Sequence, residues 1–206
     1  MSEKYTSAAE IVSYSLGRQM GDQFAADPFD GMNPQAIAEG IIDTLSGKPS
    51  PIEQEQLQQA FQEINDIMQA KAAEKAQKAA EEGETFLAQN AEKDGIFVTE
   101  SGLQYEILVE GNGEKPTAES VVSTHYHGTL IDGTVFDSSV ERGQPAQFPV
   151  NRVIAGWTEA LQMMPTGSKW KLYIPHNLAY GPQGSGGSIA PYSALIFEVE
   201  LLEIVS

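Results

Sequence analysis

Hydrophobic positions along this chain recur with two different periods. Up to about residue 95 they follow the three-to-four spacing of helices, and beyond it they alternate as strands do. In "SAAE" (7 to 10), Ser7 and Glu10 have the form of a capping box, and Ile11, Val12, Leu16, Met20 and Phe24 follow at near-helical spacing. Asn33 as a cap and Pro34 at the first helical position open "NPQAIAEGIIDTLSG", whose Ile37, Ile41 and Leu45 share a face before Gly47. A second box, "SPIE", is read as opening a third helix at Ser50, and after Pro51 no further proline interrupts it to roughly Lys93. Leu57, Ala60, Phe61, Ile64, Ile67 and Met68 give its first part an apolar stripe, whereas "KAAEKAQKAAEEGE" is alanine and charge with little to bury.

The second half predicts strands at "LQYEILVE", "VVSTHYHGTLI", "TVFDS", "QFPV", "KWKLYIP" and "ALIFEVELLEIV", with one short helix at "AGWTEALQMM". Phe197, Val199 and Leu201 alternate with Glu198 and Glu200, the pattern of a sheet with one covered and one wet face, and the short helix is the natural cover. The fold class is therefore α+β: an all-α arm ending in a long helix, then an antiparallel sheet wrapped over a short helix. The expected divisions are 1–50 for the helical dimerisation segment, 51–95 for the long connecting helix and 96–206 for the sheet domain.

Three helices in so short a stretch make a thin core, so their apolar faces are expected to close against a second copy through residues 1–70. Gly17 and Gly21, four apart, suit close backbone approach; the plainer alternative is two tolerated glycines in a monomeric bundle.

Composition narrows the partners. The 206 residues carry a net charge of -17, which repels phosphate backbones and anionic lipid surfaces, so neither nucleic acid nor membrane is expected. Without cysteine there are no disulfides, zinc-thiolate sites or thiol nucleophiles. No basic leader with an apolar run opens the sequence, and the expected location is cytoplasmic, with the periplasm as the alternative.

Candidate chemistry is sparse. His125 and His127 alternate on one strand, opposite in facing to Tyr126; they read as structural or solvent-facing, the alternative being the beginning of a metal site. "GPQGSGGS" lacks the Lys-Ser/Thr ending of a phosphate loop and reads as a flap or long turn. Ser138 and Ser139 have no nucleophile-elbow setting. Neither a metal nor a cofactor is expected. What remains is a set of aromatics from separate segments, Tyr126, Phe136, Phe148, Trp157, Tyr180 and Phe197, which make either a plain core or the lining of a concave pocket, and an acid, Asp137, placed directly beside Phe136.

"VVSTHYHGTLIDGTVFDSS", "ERGQPAQFPVNRVIAGWTEALQMMPTGSKWKLYIP" and "LAYGPQGSGGSIAPYSALIFEVELLEI" together resemble the catalytic domain of the FK506-binding (FKBP) peptidyl-prolyl cis/trans isomerases over roughly residues 96 to 206. "YSLGRQMGDQF" and the long third helix resemble the dimerisation arm of the bacterial macrophage-infectivity-potentiator-like subgroup. The resemblance implies an isomerase acting without a covalent step on prolyl bonds of unfolded or partly folded polypeptides. It also implies a homodimer with chaperone-like client binding and recognition of FK506- and rapamycin-type inhibitors. Trp157 would floor the pocket, with Tyr126, Phe136, Val153, Ile154 and Phe197 as walls and Phe148 and Ile189 beside them. Tyr180 and the Ile154 amide would meet ligand carbonyls. Asp137 would engage Tyr126 and Arg142, a positioned acid rather than a nucleophile. Ala146, Ser188 and "IAP" at 189 to 191 depart from the usual pattern and imply a shallower cup. The competing reading keeps the cup as a proline-recognising chaperone with little catalysis.

Overall fold

The computed structural model describes residues 4–26 and 28–206, which fall into two compact units dividing after Ala70. In the first, helix α1 (Ala8–Ala26) opens on the expected capping box: the Glu10 amide donates to Ser7 Oγ at 3.2 Å and the Ser7 amide to Glu10 Oε2 at 2.9 Å. The Ser7 amide, and then the Thr6 amide, donating to the carboxylate hold Glu10 below its usual pKa. Helix α2 (Pro34–Leu45) is capped by Asn33, whose Oδ1 accepts from the amides of Gln35 and Ala36. Neither helix buries a residue completely within one chain.

Helix α3 (Gln54–Ala91) starts later than the Ser50 box suggests. Ser50 Oγ accepts from the Ile52 amide, a local turn around Pro51, and the first helical bond runs from Leu57 to the Glu53 carbonyl. The capping chemistry thus moves to Glu53, whose amide is met by Gln56 Oε1 at 3.3 Å. At 38 residues the helix is about 57 Å long. Its last turns belong with the second unit, where Gly83 lies against Ala194, Phe86 meets Tyr173 at 6.0 Å, and buried Asn90 donates to Gln104 at 3.0 Å. The alanine-and-charge stretch therefore ends in a docked segment that hydrophobicity alone understates.

The second unit is an antiparallel sheet of seven strands. Its central path runs β1 (Ile96–Val98), β2 (Gln104–Val109), β6 (Lys169–Ile174), β7 (Leu195–Ile204), β3 (Val121–Leu130), β4 (Val135–Ser138), and β5 (Ala146–Pro149) pairs with the early part of β3. The short β1 has no counterpart among the sequence-predicted strands: three residues are too few to show a period. The predicted "QFPV" strand ends at Pro149, because Val150–Arg152 turns into a 3-10 segment that leads to α4 (Ala155–Met163).

Alternation on β7 is as read, with Phe197, Val199 and Leu201 buried against α4's Trp157, Ala160 and Leu161 in one core. The opposite face carries Lys169, Lys171 and Glu198, the last reached by Lys169 Nζ at 3.2 Å. Among the described residues no helix is long and apolar enough to cross a membrane.

Candidate functional site

Covering one side of a twisted sheet with a single nine-residue helix leaves the helix's N-terminal end uncovered, and there a cavity of about 690 Å³ opens. Trp157, in the first turn of α4, is 4% exposed. Tyr126, Phe148 and Phe197 all meet its indole edge-to-face, with centroids 5.4, 5.9 and 5.3 Å away and interplanar angles of 83°, 85° and 81°. Phe136 stands against Phe197 at 5.4 Å and 83°. Such T-shaped pairs are favoured by the ring quadrupoles. These rings, standing upright around a flat indole, belong to the core and line the cavity at once.

Neighbouring chemistry fixes the walls. Tyr126 is pinned by Ser139, whose Oγ accepts the Tyr126 amide at 2.8 Å. Gly128, two residues along β3, is what lets Phe136 and Phe197 close: a Cβ there would lie 2.7 Å from the Phe197 ring and 2.8 Å from the Phe136 ring. Val153 and Ile154 lead into α4 beside the cup. The Ile154 carbonyl accepts from Trp157 and Thr158, while its amide donates to no group among the described residues. Ile189 forms the far wall on a flap in which Ser185 and Ile189 exchange backbone bonds of 2.9 and 3.0 Å. The flap begins at Gly184, directly after the 3-10 turn Gly181–Gln183, where φ is +62° and a Cβ would fall 2.2 Å from the Ile189 carbonyl oxygen.

Asp137 sits at the rim with both oxygens occupied. Oδ2 accepts from the Tyr126 hydroxyl at 2.6 Å, and Oδ1 accepts from Arg142, which also donates to the Tyr126 hydroxyl at 2.7 Å. Burial pushes the Asp137 carboxyl up, but the hydrogen bonds from Tyr126 and Arg142 outweigh it, and the net pKa is below the ordinary carboxylate value. Burial, then the bond to Asp137, raises Tyr126; burial, then the Asp137 charge, raises Tyr180. Tyr180 lines the mouth, and its hydroxyl makes no hydrogen bond among the described residues. Both tyrosines therefore remain donors at neutral pH.

Of the residues singled out from the sequence, Tyr126, Phe136, Asp137, Phe148, Val153, Ile154, Trp157, Tyr180, Ile189 and Phe197 all line the cup. Arg142 does not; it lies behind Asp137, its guanidinium 5.6 Å from the Tyr126 ring centroid. Ser188 borders the mouth and Ala146 packs on the core from β5, outside the lining. His125 and His127 each pair with a serine, Ser139 at 3.1 Å and Ser138 at 3.0 Å. Among the described residues no group of three or more His, Cys, Asp or Glu gathers to hold a metal. Sequence reasoning missed Gly128, Gly184, Ser139 and Arg152. The first two have a signal, glycine inside a strand or loop where close approach is needed; Ser139 and Arg152 have none.

The cup is lined mainly by apolar side chains and holds free hydrogen-bond donors at its mouth, and the one carboxylate in its lining, Asp137, has both oxygens occupied. Fold and site together define a binding cup for an apolar group that carries hydrogen-bond acceptors. Residues 112–202 match the family described as FKBP-type peptidyl-prolyl cis-trans isomerase, and residues 9–107 match the domain amino terminal to FKBP-type peptidyl-prolyl isomerase. The chain is 49% identical over 193 residues, 94% of both chains, to the FKBP-type 22 kDa peptidyl-prolyl cis-trans isomerase of Escherichia coli (strain K12). It is 43% identical to the outer membrane protein MIP of Legionella longbeachae, covering 97% of this chain and 87% of that one. The crystal structure of FkpA from Escherichia coli superposes with a TM-score of 0.69 at 32% identity, covering 97% of this chain and 98% of that one. This chain belongs to the FKBP-type peptidyl-prolyl cis-trans isomerase family.

Proposed function

We propose that this peptidyl-prolyl cis-trans isomerase seats a prolyl ring on the Trp157 indole and eases rotation of the peptide bond before it, with no covalent intermediate. The observation that carries this reading is the indole floor ringed by three edge-on aromatics. Rotation about a peptide bond faces a barrier of about 20 kcal/mol because amide resonance must be broken. A thousandfold acceleration requires removing only about 4 kcal/mol of it. An apolar cup disfavours the charge-separated planar amide relative to the twisted one, and the Tyr180 hydroxyl and Ile154 amide hold the flanking carbonyls. Asp137, held ionised between Tyr126 and Arg142, fixes the Tyr126 wall and offers an acceptor at the rim. FK506- and rapamycin-type molecules fit the same description of an apolar ring flanked by carbonyls.

The working form is read as a homodimer closed through residues 1–70. Its support is the exposure of Ile11, Val12, Leu16 and Phe61 in a single chain, together with open space beside Gly17 and Gly21. Two cups on one dimer would hold an unfolded polypeptide at two points and raise its effective concentration, the basis of chaperone-like client binding.

The test is a protease-free isomerisation assay on a short prolyl peptide. Wild-type protein is expected to speed equilibration, FK506 to abolish the effect, and Trp157→Leu to lower kcat/KM at least tenfold. An unaltered rate in Trp157→Leu refutes the site. Sedimentation of wild type against Leu16→Lys tests the dimer, the variant being expected as a monomer.

A further inference from the structure

We propose that Arg152 is a specificity-determining residue that favours substrates carrying a carboxylate on a residue flanking the proline. The inference rests on the cup being the prolyl site. Two charged side chains line the cup, Asp137 and Arg152. Asp137 is already committed: Tyr126 bonds one oxygen and Arg142 the other. Arg152 ends the 3-10 segment Val150–Arg152, is exposed, and makes no salt bridge among the described residues. The nearest acid along the α4 segment, Glu159, is engaged instead by the Ser101 hydroxyl at 2.6 Å. The uncommitted charge at the rim is therefore a guanidinium, two residues ahead of the Ile154 amide and five ahead of Trp157.

A guanidinium presents a planar fork matched to a carboxylate, and it stays charged throughout the working pH range. The chain's net charge of -17 opposes acidic peptides at long range. That opposition decays over about 8 Å at physiological ionic strength, so within the bound complex the contact with Arg152 prevails. The rim is exposed to solvent, which limits the preference to a modest factor, about two- to fivefold in kcat/KM.

The experiment compares peptides that differ only in having Glu, Gln or Lys at the residue before or after the proline, read as ratios of kcat/KM within each protein. Wild type is expected to favour Glu over Gln by about two- to fivefold at one or both positions, with Lys below Gln. The preference should shrink toward unity in about 0.5 M salt. Arg152→Gln should bring the three peptides together, and Arg152→Glu should invert their order. Equal wild-type rates on Glu and Gln peptides at both positions, or a Glu preference that survives in Arg152→Gln, overturn the inference while leaving the isomerase reading in place. Failure of wild type to turn over any of the peptides overturns both.

Discussion

The hydroxyl of Tyr126 donates to Oδ2 of Asp137 at 2.6 Å, and Arg142 reaches both members of the pair. The lowered folded pKa of Asp137 has a definite sign for stability. A carboxyl whose pKa is depressed by folding contributes stability that is fully present above its unfolded value, about 3.9, and is lost as pH falls through the folded value. Wild type and Asp137→Asn should therefore run parallel in denaturant midpoint above about pH 5 and converge below about pH 4. At neutral pH the variant should lose about tenfold in kcat/KM, close to 1.4 kcal/mol, through a looser Tyr126 wall. Midpoints that stay parallel down to pH 2 would show that the carboxylate adds nothing to the fold.

Tyr173 gives the opposite slope. Its pKa is pushed up to about 12, first by burial and then by the charge of Glu106, whose carboxylate lies 3.3 Å from the hydroxyl. A group whose pKa is raised by folding contributes stability that is intact below its unfolded value, about 10, and is lost as pH climbs through the folded one. Tyr173→Phe should flatten the alkaline loss of stability between about pH 10 and 12 by on the order of 1–2 kcal/mol. Thermal melts of both proteins across that range measure it directly.

Gly128 sets how far the cup closes. A methyl at this position would lie inside the contact distance of two walls, 2.7 Å from Phe197 and 2.8 Å from Phe136. Overpacking of this kind costs about 1–3 kcal/mol. Gly128→Ala should lose stability in that range and raise KM for a prolyl peptide, because the rings must splay before a substrate arrives. Gly133→Ala, at a turn glycine with open space around it but φ of +87°, provides the contrast: backbone strain with no effect on KM.

Much of this arrangement was legible in the sequence because it is written in short-range signals. The capping residues Ser7 and Asn33 and the period-two run of β7 specify their elements locally, and Trp157 belongs to a helix too short to be anything but a cover. The cup's members were also identifiable, but as a resemblance; alternation says that Tyr126 and Phe197 face inward, not that a gap remains between them. What stayed hidden depends on partners distant in the chain. The docking of α3 rests on Asn90 and Gln104, two amides that look solvent-facing until Asn90 is seen to donate to Gln104, and Gln104 to the Leu87 carbonyl, in a buried setting. Ser139 looked like a failed nucleophile and is a buried clamp on the Tyr126 backbone.

That docking makes the choice of truncation point a sharp test. Residues from Lys71 onward form one compact unit that includes the last turns of α3, whereas a cut before Ile96 removes them. The shorter fragment loses the Asn90 bond to Gln104, the Gln104 bond to the Leu87 carbonyl at 2.8 Å, and the cover that Phe86 gives Tyr173. Two hydrogen bonds and one aromatic contact together amount to about 2–4 kcal/mol. The fragment 71–206 should therefore unfold at a clearly higher denaturant concentration than 96–206, and it should retain peptide turnover within about twofold of the full chain, since the cup lies wholly within it. Equal midpoints for the two fragments would mean that the end of the long helix only rests on the sheet; a higher midpoint for 71–206 would make it part of the domain that carries the cup.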